Sequence, residues 1–568
     1  MRAAARPRGA GSACFMVRYG AVTNGGVHQK IGDAAFVVRT LAKSGMVAPE
    51  RPDRALRALV ALQRWGATPA AGYAANAARS PDRPAIHDDL GTLTFAEVDA
   101  RTNALARGLR ERGVGAGDGV AVLCRNHRGF IEAAIACSKL GANAICMNTG
   151  FAGPQIAEVC RREGLAALVY DEEFAETVKE AAAALAAFVA WHQDGLAPAE
   201  HATLDDLIAG HSSAGLKPPS ESGRIVILTS GTTGLPKGAA RQEPGSIAAF
   251  APLFDKIPLR ARRTTLIAAP LFHTWGFGHF AFSLALGSTL VLQRRFDPEQ
   301  TLAAIAHHRP HTLVVVPVML QRMLDQVPAE RIRSYDTSSL EVIAVSGSAL
   351  PGELALRVMD VFGDVLYNLY GSTEVAWATV AGPRDLRAAP GTAGTPPRGT
   401  VVRLYDEHDR PVARGETGRI FVGNEMVFDG YTGGGTKASI DGLLSSGDVG
   451  YFDEAGRLFV SGRDDDMIVS GGENVFPREI EDLLAEHPAI EEAALIGVED
   501  EQFGQRLRAF VVLRPGEELT AEAVREYVRE NLARFKVPRD VAFLDVLPRN
   551  AAGKVLKTEL RGRGVSAG

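Results

Sequence analysis

The chain has 568 residues, of which 46% are hydrophobic and 23% are charged, and its formal net charge is -5. Because one domain usually contains about 100–200 residues, this length predicts at least two independently packed units. The mildly acidic balance excludes the basic footprint that a nucleic-acid-binding protein would carry.

Residues 1–66 form a basic N-terminal extension, with 11 Lys or Arg against 3 Asp or Glu. Within it, residues 54–65 (RALRALVALQRW) place apolar side chains on one helical face and arginines on the other. One interpretation is a helix in weak peripheral contact with a membrane surface. The other is an extension that packs on the main domain or is partly disordered, and we favour the second.

From about residue 68 the chain alternates short apolar runs with amphipathic helical periods. This alternation predicts layers of helices around mostly parallel sheets, an α/β fold. The predicted buried strands are residues 120–124, 167–170, 224–228, 312–316 and 341–345, and the predicted helices include residues 96–112 and 129–140.

After about residue 395 the strands become shorter and rich in turns, which predicts a small antiparallel or barrel-like section. An aspartate run at 464–466 is followed by a compact α+β segment with its own helix (477–486) and strand (507–513). We therefore expect a large N-terminal domain at 67–463, a hinge at 464–466 and a smaller, mobile C-terminal domain at 467–568.

The composition also bears on localisation and on metal sites. Five scattered cysteines without CxxC spacing favour reduced thiols over a disulfide framework or a zinc site. The histidines at 307, 308 and 311 flank a proline and predict a helix-to-strand connection. No run reaches the roughly 18 apolar residues of a membrane-spanning helix. We expect a cytoplasmic protein, with membrane association only under the less favoured interpretation of the extension.

The predicted strand at 224–228 runs directly into TSGTTGLPKG, residues 229–238. Three glycines permit unusual turns, while four hydroxyl side chains and successive backbone N–H groups can surround an anion such as a triphosphate. Lys237 adds a positive charge at the same place. The pattern is not a Walker A loop, because Pro236 and Gly238 stand where that loop needs Gly and Ser or Thr. A P-loop kinase or GTPase is therefore disfavoured.

TSGTTGLPKG resembles the phosphate loop of the adenylate-forming superfamily, which includes acyl-CoA synthetases, luciferase and peptide-synthetase adenylation domains. Further segments resemble the motifs of that family in the same order. They are PLFHTWG at 270–276, SGSAL at 346–350, YGSTE at 370–374, SGD at 446–448, GGENVF at 471–476 and PRNAAGK at 548–554. As a whole the chain looks most similar to bacterial medium- to long-chain fatty acyl-CoA synthetases.

The resemblance implies roles for particular residues. The implied nucleotide-binding residues are Thr229, Ser230, Gly231, Thr232, Thr233, Gly234, Lys237, Gly347, Ser348, Ala349, Tyr370, Gly371, Ser372, Thr373, Asp448 and Arg463. The remaining implied roles are Lys554, Lys237 and Glu374 for catalysis, Thr229 and Glu374 for Mg²⁺, His273 and Trp275 for the acyl group, Gly471, Gly472 and Glu473 for CoA, and Asp465 for the hinge.

The chain departs from the family pattern at several positions. Asn550 and Ala552 stand where the family usually has Thr and Ser, and SGD replaces the usual TGD. The glycine-rich stretch at 430–446 lacks the aromatic residue that often precedes this motif. His273 would by its chemistry alone more often be a core histidine, so its role depends on the resemblance.

The function that the resemblance implies is a fatty acyl-CoA synthetase that uses ATP, Mg²⁺ and coenzyme A. A fatty acid would attack the α-phosphorus of ATP to give acyl-AMP and pyrophosphate, and the acyl group would then pass to CoA. The alternatives are a ligase for another acid such as an aromatic acid, an acyl-AMP ligase that serves a carrier protein, and a non-catalytic nucleotide-binding homologue.

Overall fold

The structure is a computed structural model that describes residues 27–47, 51–192, 200–229, 237–240, 247–431, 434–466, 468–470, 473–500, 504–550 and 553–562. Among these residues, no helix combines the length and the apolar character needed to cross a lipid bilayer. The fold is mixed α/β, with a large N-terminal domain and a smaller C-terminal domain, as the sequence predicts.

The strands belong to four sheets. In chain order they are β1 (Pro84–Asp88), β2 (Gly91–Thr94), β3 (Gly119–Leu123), β4 (Asn143–Cys146), β5 (Leu165–Asp171), β6 (Ala186–Trp191), β7 (Ile225–Thr229), β8 (Lys237–Ala240), β9 (Thr264–Ile267), β10 (Thr289–Leu292), β11 (Thr312–Val315), β12 (Val342–Val345), β13 (Leu366–Tyr370), β14 (Thr379–Ala381), β15 (Val401–Tyr405), β16 (Gly418–Gly423), β17 (Gly430–Tyr431), β18 (Ser439–Ile440), β19 (Leu443–Phe452), β20 (Leu458–Arg463), β21 (Ile468–Ser470), β22 (Glu473–Val475), β23 (Ile490–Asp500), β24 (Gly504–Leu513) and β25 (Asp540–Phe543).

Most helices cover the faces of these sheets. In chain order they are α1 (Val27–Lys43), α2 (Pro52–Trp65), α3 (Pro69–Arg79), α4 (Phe95–Glu111), α5 (Arg128–Leu140), α6 (Gly153–Arg162), α7 (Ala175–Ala182), α8 (Leu204–Ala209), α9 (Ala251–Lys256), α10 (Thr274–Leu286), α11 (Pro298–His308), α12 (Pro317–Gln326), α13 (Ala329–Ser334), α14 (Gly352–Phe362), α15 (Pro383–Ala388), α16 (Pro477–Ala485), α17 (Ala521–Asn531) and α18 (Lys557–Gly562). Short 3-10 turns lie at Glu172–Phe174, Ile247–Phe250, Asp464–Asp466 and Arg534–Lys536.

Two large sheets form the centre of the N-terminal domain. One has the order β17-β8-β7-β4-β3-β5-β6, and its last five strands are parallel. The other has the order β14-β13-β12-β11-β9-β10-β1-β2, and its six middle strands are parallel. The largest apolar cluster joins the two sheets, with Val122 of β3, Phe130 of α5 and Ile267 of β9 among its members. Parallel strands buried on both faces explain why the predicted apolar runs are continuous.

Helix boundaries follow local capping chemistry. The hydroxyl of Thr94 accepts the backbone N–H of Glu97 at 3.2 Å, and the Glu97 carboxylate accepts the backbone N–H of Thr94 at 2.7 Å, so α4 begins on a capping box.

The histidines at 307, 308 and 311 lie where a helix leads into a strand. Helix α11 ends at His308, and Arg309 adopts a left-handed conformation before β11 begins. The predicted helix-to-strand connection is confirmed.

A five-stranded antiparallel sheet, β15-β16-β19-β18 with β20 paired to β19, follows the two large sheets. It corresponds to the predicted antiparallel section. The C-terminal domain contains a second five-stranded sheet, β22-β21-β24-β23 with β25 beside β24, and α16 and α17 cover it through Ile480 and Val524. Its predicted helix and strand are α16 and β24, the latter beginning three residues earlier than expected.

The described part of the N-terminal extension packs on the main domain, as the favoured interpretation predicts. Helix α2 buries Ala58, and Phe36 of α1 is buried beneath the guanidinium of Arg398 at 4.8 Å. Arg398 also pairs with Asp33 at 2.8 Å. The same extension nevertheless leaves several large apolar side chains exposed.

Candidate active site

The hydroxyl-rich segment connects two antiparallel strands at the edge of a large sheet. Strand β7 is buried beside β4, and its last residue, Thr229, pairs with Lys237, the first residue of β8. The register therefore brings Thr229 and Lys237 together at the carboxyl end of β7. The predicted residues Ser230, Gly231, Thr232, Thr233 and Gly234 lie outside the described residues.

Tyr431 links Glu374 to the strand pair of β7 and β8. The phenol of Tyr431 donates a hydrogen bond to Glu374 Oε1 at 2.8 Å, and Tyr431 pairs with Ala239 in β8. Burial, followed by the hydrogen bond to the carboxylate, raises the pKa of Tyr431. The hydroxyl of Ser372 accepts the backbone N–H of Glu374 at 3.2 Å, which fixes the turn after β13.

Asp448 and Arg463 face each other on neighbouring strands, β19 and β20. Tyr370 donates to Asp448 Oδ2 at 2.6 Å, and Arg463 Nη1 lies 3.5 Å from Oδ1. Burial raises the pKa of Asp448, while the bond from Tyr370 and the positive charges of Arg463, Lys554 and Arg478 oppose the rise. Gly447 has a φ of 81°, and a Cβ there would lie 3.2 Å from the Arg463 guanidinium. The glycine of SGD therefore allows the arginine to approach the backbone.

Two of the predicted nucleotide-binding segments follow adjacent parallel strands. Gly347, Ser348 and Ala349 come directly after β12, while Gly371, Ser372 and Thr373 come directly after β13. The carboxyl ends of these strands therefore place both segments at one edge of the sheet. Thr373 also contacts Thr274 at the start of α10, with the two hydroxyl oxygens 3.1 Å apart.

The predicted acyl-binding residues lie at the start of α10. The indole Nε1 of Trp275 donates to the backbone oxygen of Val315 at 3.0 Å, so its ring is fixed against the end of β11. His273 is half-buried with its Nε2 atom fully buried, and this loss of contact with water lowers its pKa to about 4. Among the described residues, its Nε2 has no hydrogen-bond partner.

His279, one turn after Trp275, is a residue that the sequence analysis missed. Its ring packs edge-on against the Trp275 ring with centroids 4.4 Å apart, and burial lowers its pKa to about 3. Its Nε2 also lacks a hydrogen-bond partner within the described part of the chain. The i, i+4 spacing from Trp275 and the polar character of one His within an apolar helix were the available signals.

Lys554 is carried on a hairpin that reaches the large domain. The backbone N–H of Lys554 donates to Asn550 Oδ1 at 2.9 Å, so Asn550 supplies an acceptor although it departs from the family's usual residue. Gly553 has a φ of 81°, and a Cβ there would lie 2.6 Å from Val318 in α12. This close approach places the lysine hairpin beside the first turn of α12, while Ala552 lies outside the described residues.

Two further contacts join the domains near α12. Gln321 Nε2 donates to the backbone oxygen of Glu491 at 2.9 Å, and Arg514 lies 3.8 Å from Asp325. Lys554 is close enough to Asp448 for its positive charge to oppose the rise in the pKa of that carboxyl.

The predicted hinge and CoA loop lie between the last strand of the large domain and the C-terminal sheet. Asp464–Asp466 forms a 3-10 turn directly after β20, and Asp466 lies 3.7 Å from Arg561. Nothing is described for the side chain of Asp465. Gly471 and Gly472 lie outside the described residues, and Glu473 begins β22.

Tyr431 is a second site residue that the sequence analysis missed. It lies at the start of the glycine-rich stretch 430–446 and donates the hydrogen bond to Glu374. The signal was present in the sequence as a single tyrosine among glycines. Only the pairing of β17 with β8 brings it to the carboxylate.

Cys124, His127 and Asp171 form a buried group whose donor atoms lie within 4.8 Å of one another. His127 Nε2 lies 2.7 Å from Asp171 Oδ1, and His127 Nδ1 accepts the backbone N–H of Gly129 at 3.0 Å. Both ring nitrogens therefore already have partners. Burial raises the pKa of Cys124, so this group fits a structural link and not a reactive thiol.

Comparisons with known proteins agree with this arrangement. The profile of the family described as AMP-binding enzyme matches residues 73–432, and that of the AMP-binding enzyme C-terminal domain matches residues 479–554. The chain is 34% identical over 493 residues to feruloyl-CoA synthase of Amycolatopsis sp., covering 85% of this chain and 96% of that protein. It is 30% identical over 499 residues to the fatty acid–[acyl-carrier-protein] ligase ScoC of Streptomyces coeruleorubidus, covering 86% and 95%. It is also similar to the structure of o-succinylbenzoate CoA synthetase from Bacillus subtilis in complex with the acyl-adenylate intermediate OSB-AMP, with a TM-score of 0.75, 27% identity and coverage of 86% and 97%.

Proposed function

The chain belongs to the AMP-binding enzyme family, and we propose that it activates an acid bearing a polar-substituted ring. It is a carboxylate–CoA ligase that works through an acyl-adenylate, with ATP and CoA as substrates. The identity of the acid and the roles of the individual residues form the proposal.

The first half-reaction must overcome repulsion between a carboxylate and a triphosphate. Attack of the carboxylate oxygen on the α-phosphorus forms the acyl-AMP anhydride, and pyrophosphate leaves with the electron pair of the broken bond. Catalysis of such transfers comes mainly from positioning and charge stabilisation. We assign Lys237 to the β- and γ-phosphates and Lys554 to the carboxylate and α-phosphate. The Lys554 hairpin beside α12 supports this assignment.

Glu374 and Thr229 suit a hard cation such as Mg²⁺, because both offer oxygen ligands. One oxygen of Glu374 accepts the Tyr431 hydrogen bond, which leaves Oε2 to face a ligand. Bound there, Mg²⁺ would supply charge neutralisation of the phosphate oxygens. The paired ends of β7 and β8 bring the backbones of Thr229 and Lys237 together at the same edge of the sheet.

Asp448 and Arg463 are assigned to the ribose hydroxyls. A carboxylate accepts hydrogen bonds from two hydroxyls well, and Tyr370 and Arg463 orient it. The second half-reaction needs the thiol of CoA where Lys554 lay. Rotation about the Asp464–Asp466 turn would withdraw the lysine hairpin and bring the segment that begins β22 to the site.

The observation that supports a ring-bearing acid is the pair of unsatisfied imidazoles beside Trp275. His279 is buried and His273 is half-buried, and the buried Nε2 of each lacks a partner among the described residues. Buried polar groups normally have hydrogen-bond partners, and an alkyl chain has no atom that could serve. A ring with a hydroxyl or carbonyl substituent could stack against Trp275 and bond to an imidazole.

The comparisons favour this choice over the fatty acid expected from the sequence. Feruloyl-CoA synthase and o-succinylbenzoate CoA synthetase are named for acids that carry a ring. The similarity to the fatty acid–[acyl-carrier-protein] ligase supports a second candidate function, in which a fatty acid is activated and passed to a carrier protein. A ring-bearing acid therefore replaces, as the proposed substrate, the medium- to long-chain fatty acid that the sequence predicts.

A substrate panel tests the acid and the acceptor together. Pyrophosphate release would be measured with hydroxylated cinnamates, benzoates and short- to long-chain fatty acids, each with and without CoA. We expect kcat/KM for the best ring acid to exceed that for any fatty acid by about tenfold or more, with a CoA thioester as product. A preference for alkyl chains, or an adenylate that CoA never consumes, would overturn the proposal in favour of the second candidate.

The variant Lys554→Ala tests the assigned catalytic role. We expect ATP–pyrophosphate exchange to fall by about 100-fold or more, because an essential charge is lost, while thioester formation from supplied acyl-AMP is retained. Lys557→Ala, three residues further on, is the matched control. Equal loss of both half-reactions in Lys554→Ala would contradict this division between the domains.

A further inference from the structure

The exposed apolar surface of this chain is concentrated in its N-terminal extension. Of the eleven large apolar side chains that are exposed in the described part of the chain, six precede residue 67. Four of them belong to α2: Leu56, Leu59, Val60 and Leu62. Such a concentration on one short helix differs from scattered single exposures, which need no explanation.

Three of these side chains lie on one half of the helix surface. At 100° per residue, Leu56 and Val60 lie on the side of α2 opposite the buried Ala58, and Leu59 lies next to Leu56. Leu62 lies near Ala58 on the other half. Leu56 is 62% exposed and Leu59 is 52% exposed. The helix therefore packs through its alanine side and exposes Leu56 and Leu59, while the partly exposed Val60 lines a cavity with Asn103 of α4.

Arginines border this apolar face. Arg57 and Arg64 lie about two helical turns apart along one edge of this face. Together with Arg51, which precedes it, α2 carries four arginines and a single carboxylate, that of Asp53. Arg57 pairs with Asp53 at 2.9 Å, whereas Arg64 makes no ion pair within the described residues. Residues 1–26 add four arginines and no acidic residue. The face thus combines apolar surface with positive charge.

The extension lies outside the part of the chain that the family profiles match, although it packs on the main domain. The AMP-binding enzyme profile begins at residue 73, and feruloyl-CoA synthase is covered over 96% of its length while 85% of this chain is matched. None of the residues of the candidate active site precedes residue 229. Adenylation chemistry therefore does not explain why α2 exposes leucines beside arginines.

We propose that α2 lies on an anionic phospholipid surface, with Leu56, Leu59 and Val60 in the acyl-chain boundary and Arg57 and Arg64 at the phosphate groups. A helix with leucines on one face and arginines beside them is suited to such an interface, where binding grows with buried apolar area and with anionic lipid. The complementary charge selects this occupant over a second copy of the chain, whose α2 would carry the same excess of arginines.

Vesicle sedimentation with the full chain tests the proposal. We expect binding to vesicles of phosphatidylcholine with phosphatidylserine, weak binding to phosphatidylcholine alone, and release as the salt concentration rises. Leu56→Gln/Leu59→Gln should lower the partition coefficient by at least about tenfold. Arg64→Gln should lower it by about fivefold, the factor that corresponds to about 1 kcal/mol.

Leu90→Gln is the matched control, because Leu90 is 50% exposed on the turn between β1 and β2, outside the extension. It should bind vesicles as the unmodified protein does, and pyrophosphate release should be unchanged in all the variants. Absence of vesicle binding, equal binding to neutral and anionic vesicles, or equal loss in Leu90→Gln would overturn the proposal. Self-association in light scattering that Leu56→Gln/Leu59→Gln abolishes would assign the face to a second copy instead.

Discussion

At the scale of single residues, the candidate site contains polar groups that the folded chain leaves unsatisfied beside others that it satisfies fully. The carboxylate of Asp448 accepts a hydrogen bond from the Tyr370 hydroxyl at 2.6 Å, and that of Glu374 accepts one from the Tyr431 hydroxyl at 2.8 Å. In contrast, the Nε2 atoms of His273 and His279 are buried without partners among the described residues. An unpaired buried donor or acceptor costs stability, so its retention fits a group that a substrate completes.

His279 gives this cost a measurable pH dependence. Burial lowers its pKa from the ordinary 6.5 to about 3, so between these values the folded protein binds fewer protons than the unfolded chain. Stability should therefore fall as the pH drops below about 6.5. His279→Leu should remove about 1–2 kcal/mol of the difference in unfolding free energy between pH 7.5 and pH 5, measured by urea denaturation.

The exposed His408→Leu serves as the control for this measurement, because His408 lies on the surface between β15 and β16. It should leave the pH dependence of stability unchanged. If His279→Leu and the unmodified protein lost equal stability over this pH range, the imidazole of His279 would not be held neutral by burial.

At the scale of elements, the position of Lys554 depends on how closely a hairpin can approach a helix. Gly553 lies so near α12 that any Cβ would overlap Val318, and its positive φ is one that other residues rarely adopt. Asn550 closes the same hairpin by accepting the Lys554 N–H. The lysine is thus positioned by backbone geometry and by one side-chain acceptor.

Gly553→Ala should displace this hairpin without altering any charged group. We expect the rate of adenylation, measured by ATP–pyrophosphate exchange, to fall by about 10–100-fold, since small misplacements of catalytic groups are costly. The global stability should change by only about 1–3 kcal/mol, as expected for local strain. Gly562→Ala is the control, because a Cβ at Gly562 meets no atom within 4 Å. Similar losses in both variants would show that close approach to α12 is not required.

At the scale of the whole molecule, the described contacts of the C-terminal domain with the large domain lie at α12 and at β20, which α16 contacts. Outside the lysine hairpin, the described contacts include Gln321 with the backbone of Glu491 and Asp325 with Arg514 at 3.8 Å. Exposed or long ion pairs contribute little, so this interface should open readily. A short 3-10 turn at Asp464–Asp466 is the connection about which we propose the C-terminal domain rotates.

Asp465→Pro tests that rotation, because proline fixes φ and removes the backbone donor. We expect thioester formation from supplied acyl-AMP to slow by about tenfold or more, while ATP–pyrophosphate exchange changes by less than about twofold. Asp465→Ala, which removes the carboxylate and leaves φ free, should resemble the unmodified protein in both assays. A proline variant with unimpaired thioester formation would place the hinge elsewhere.

The fold class and the order of the motifs along the chain follow from the sequence. Apolar runs such as 120–124 and 341–345 are buried on both faces of parallel sheets, so their continuous pattern identifies them without tertiary information. The motifs at 229–238, 370–374 and 548–554 predicted acyl-adenylate chemistry, which the family assignment supports.

Tertiary structure alone decided which distant residues share an environment. Tyr431 reaches Glu374 only because β17 pairs with β8, and Lys554 reaches α12 only because Gly553 packs on Val318. We propose a ring-bearing acid in place of the fatty acid that the resemblance implies, because a family resemblance does not reveal which polar atoms the folded chain encloses. His273 and His279 acquire that meaning through burial, which depends on contacts between elements far apart in the chain.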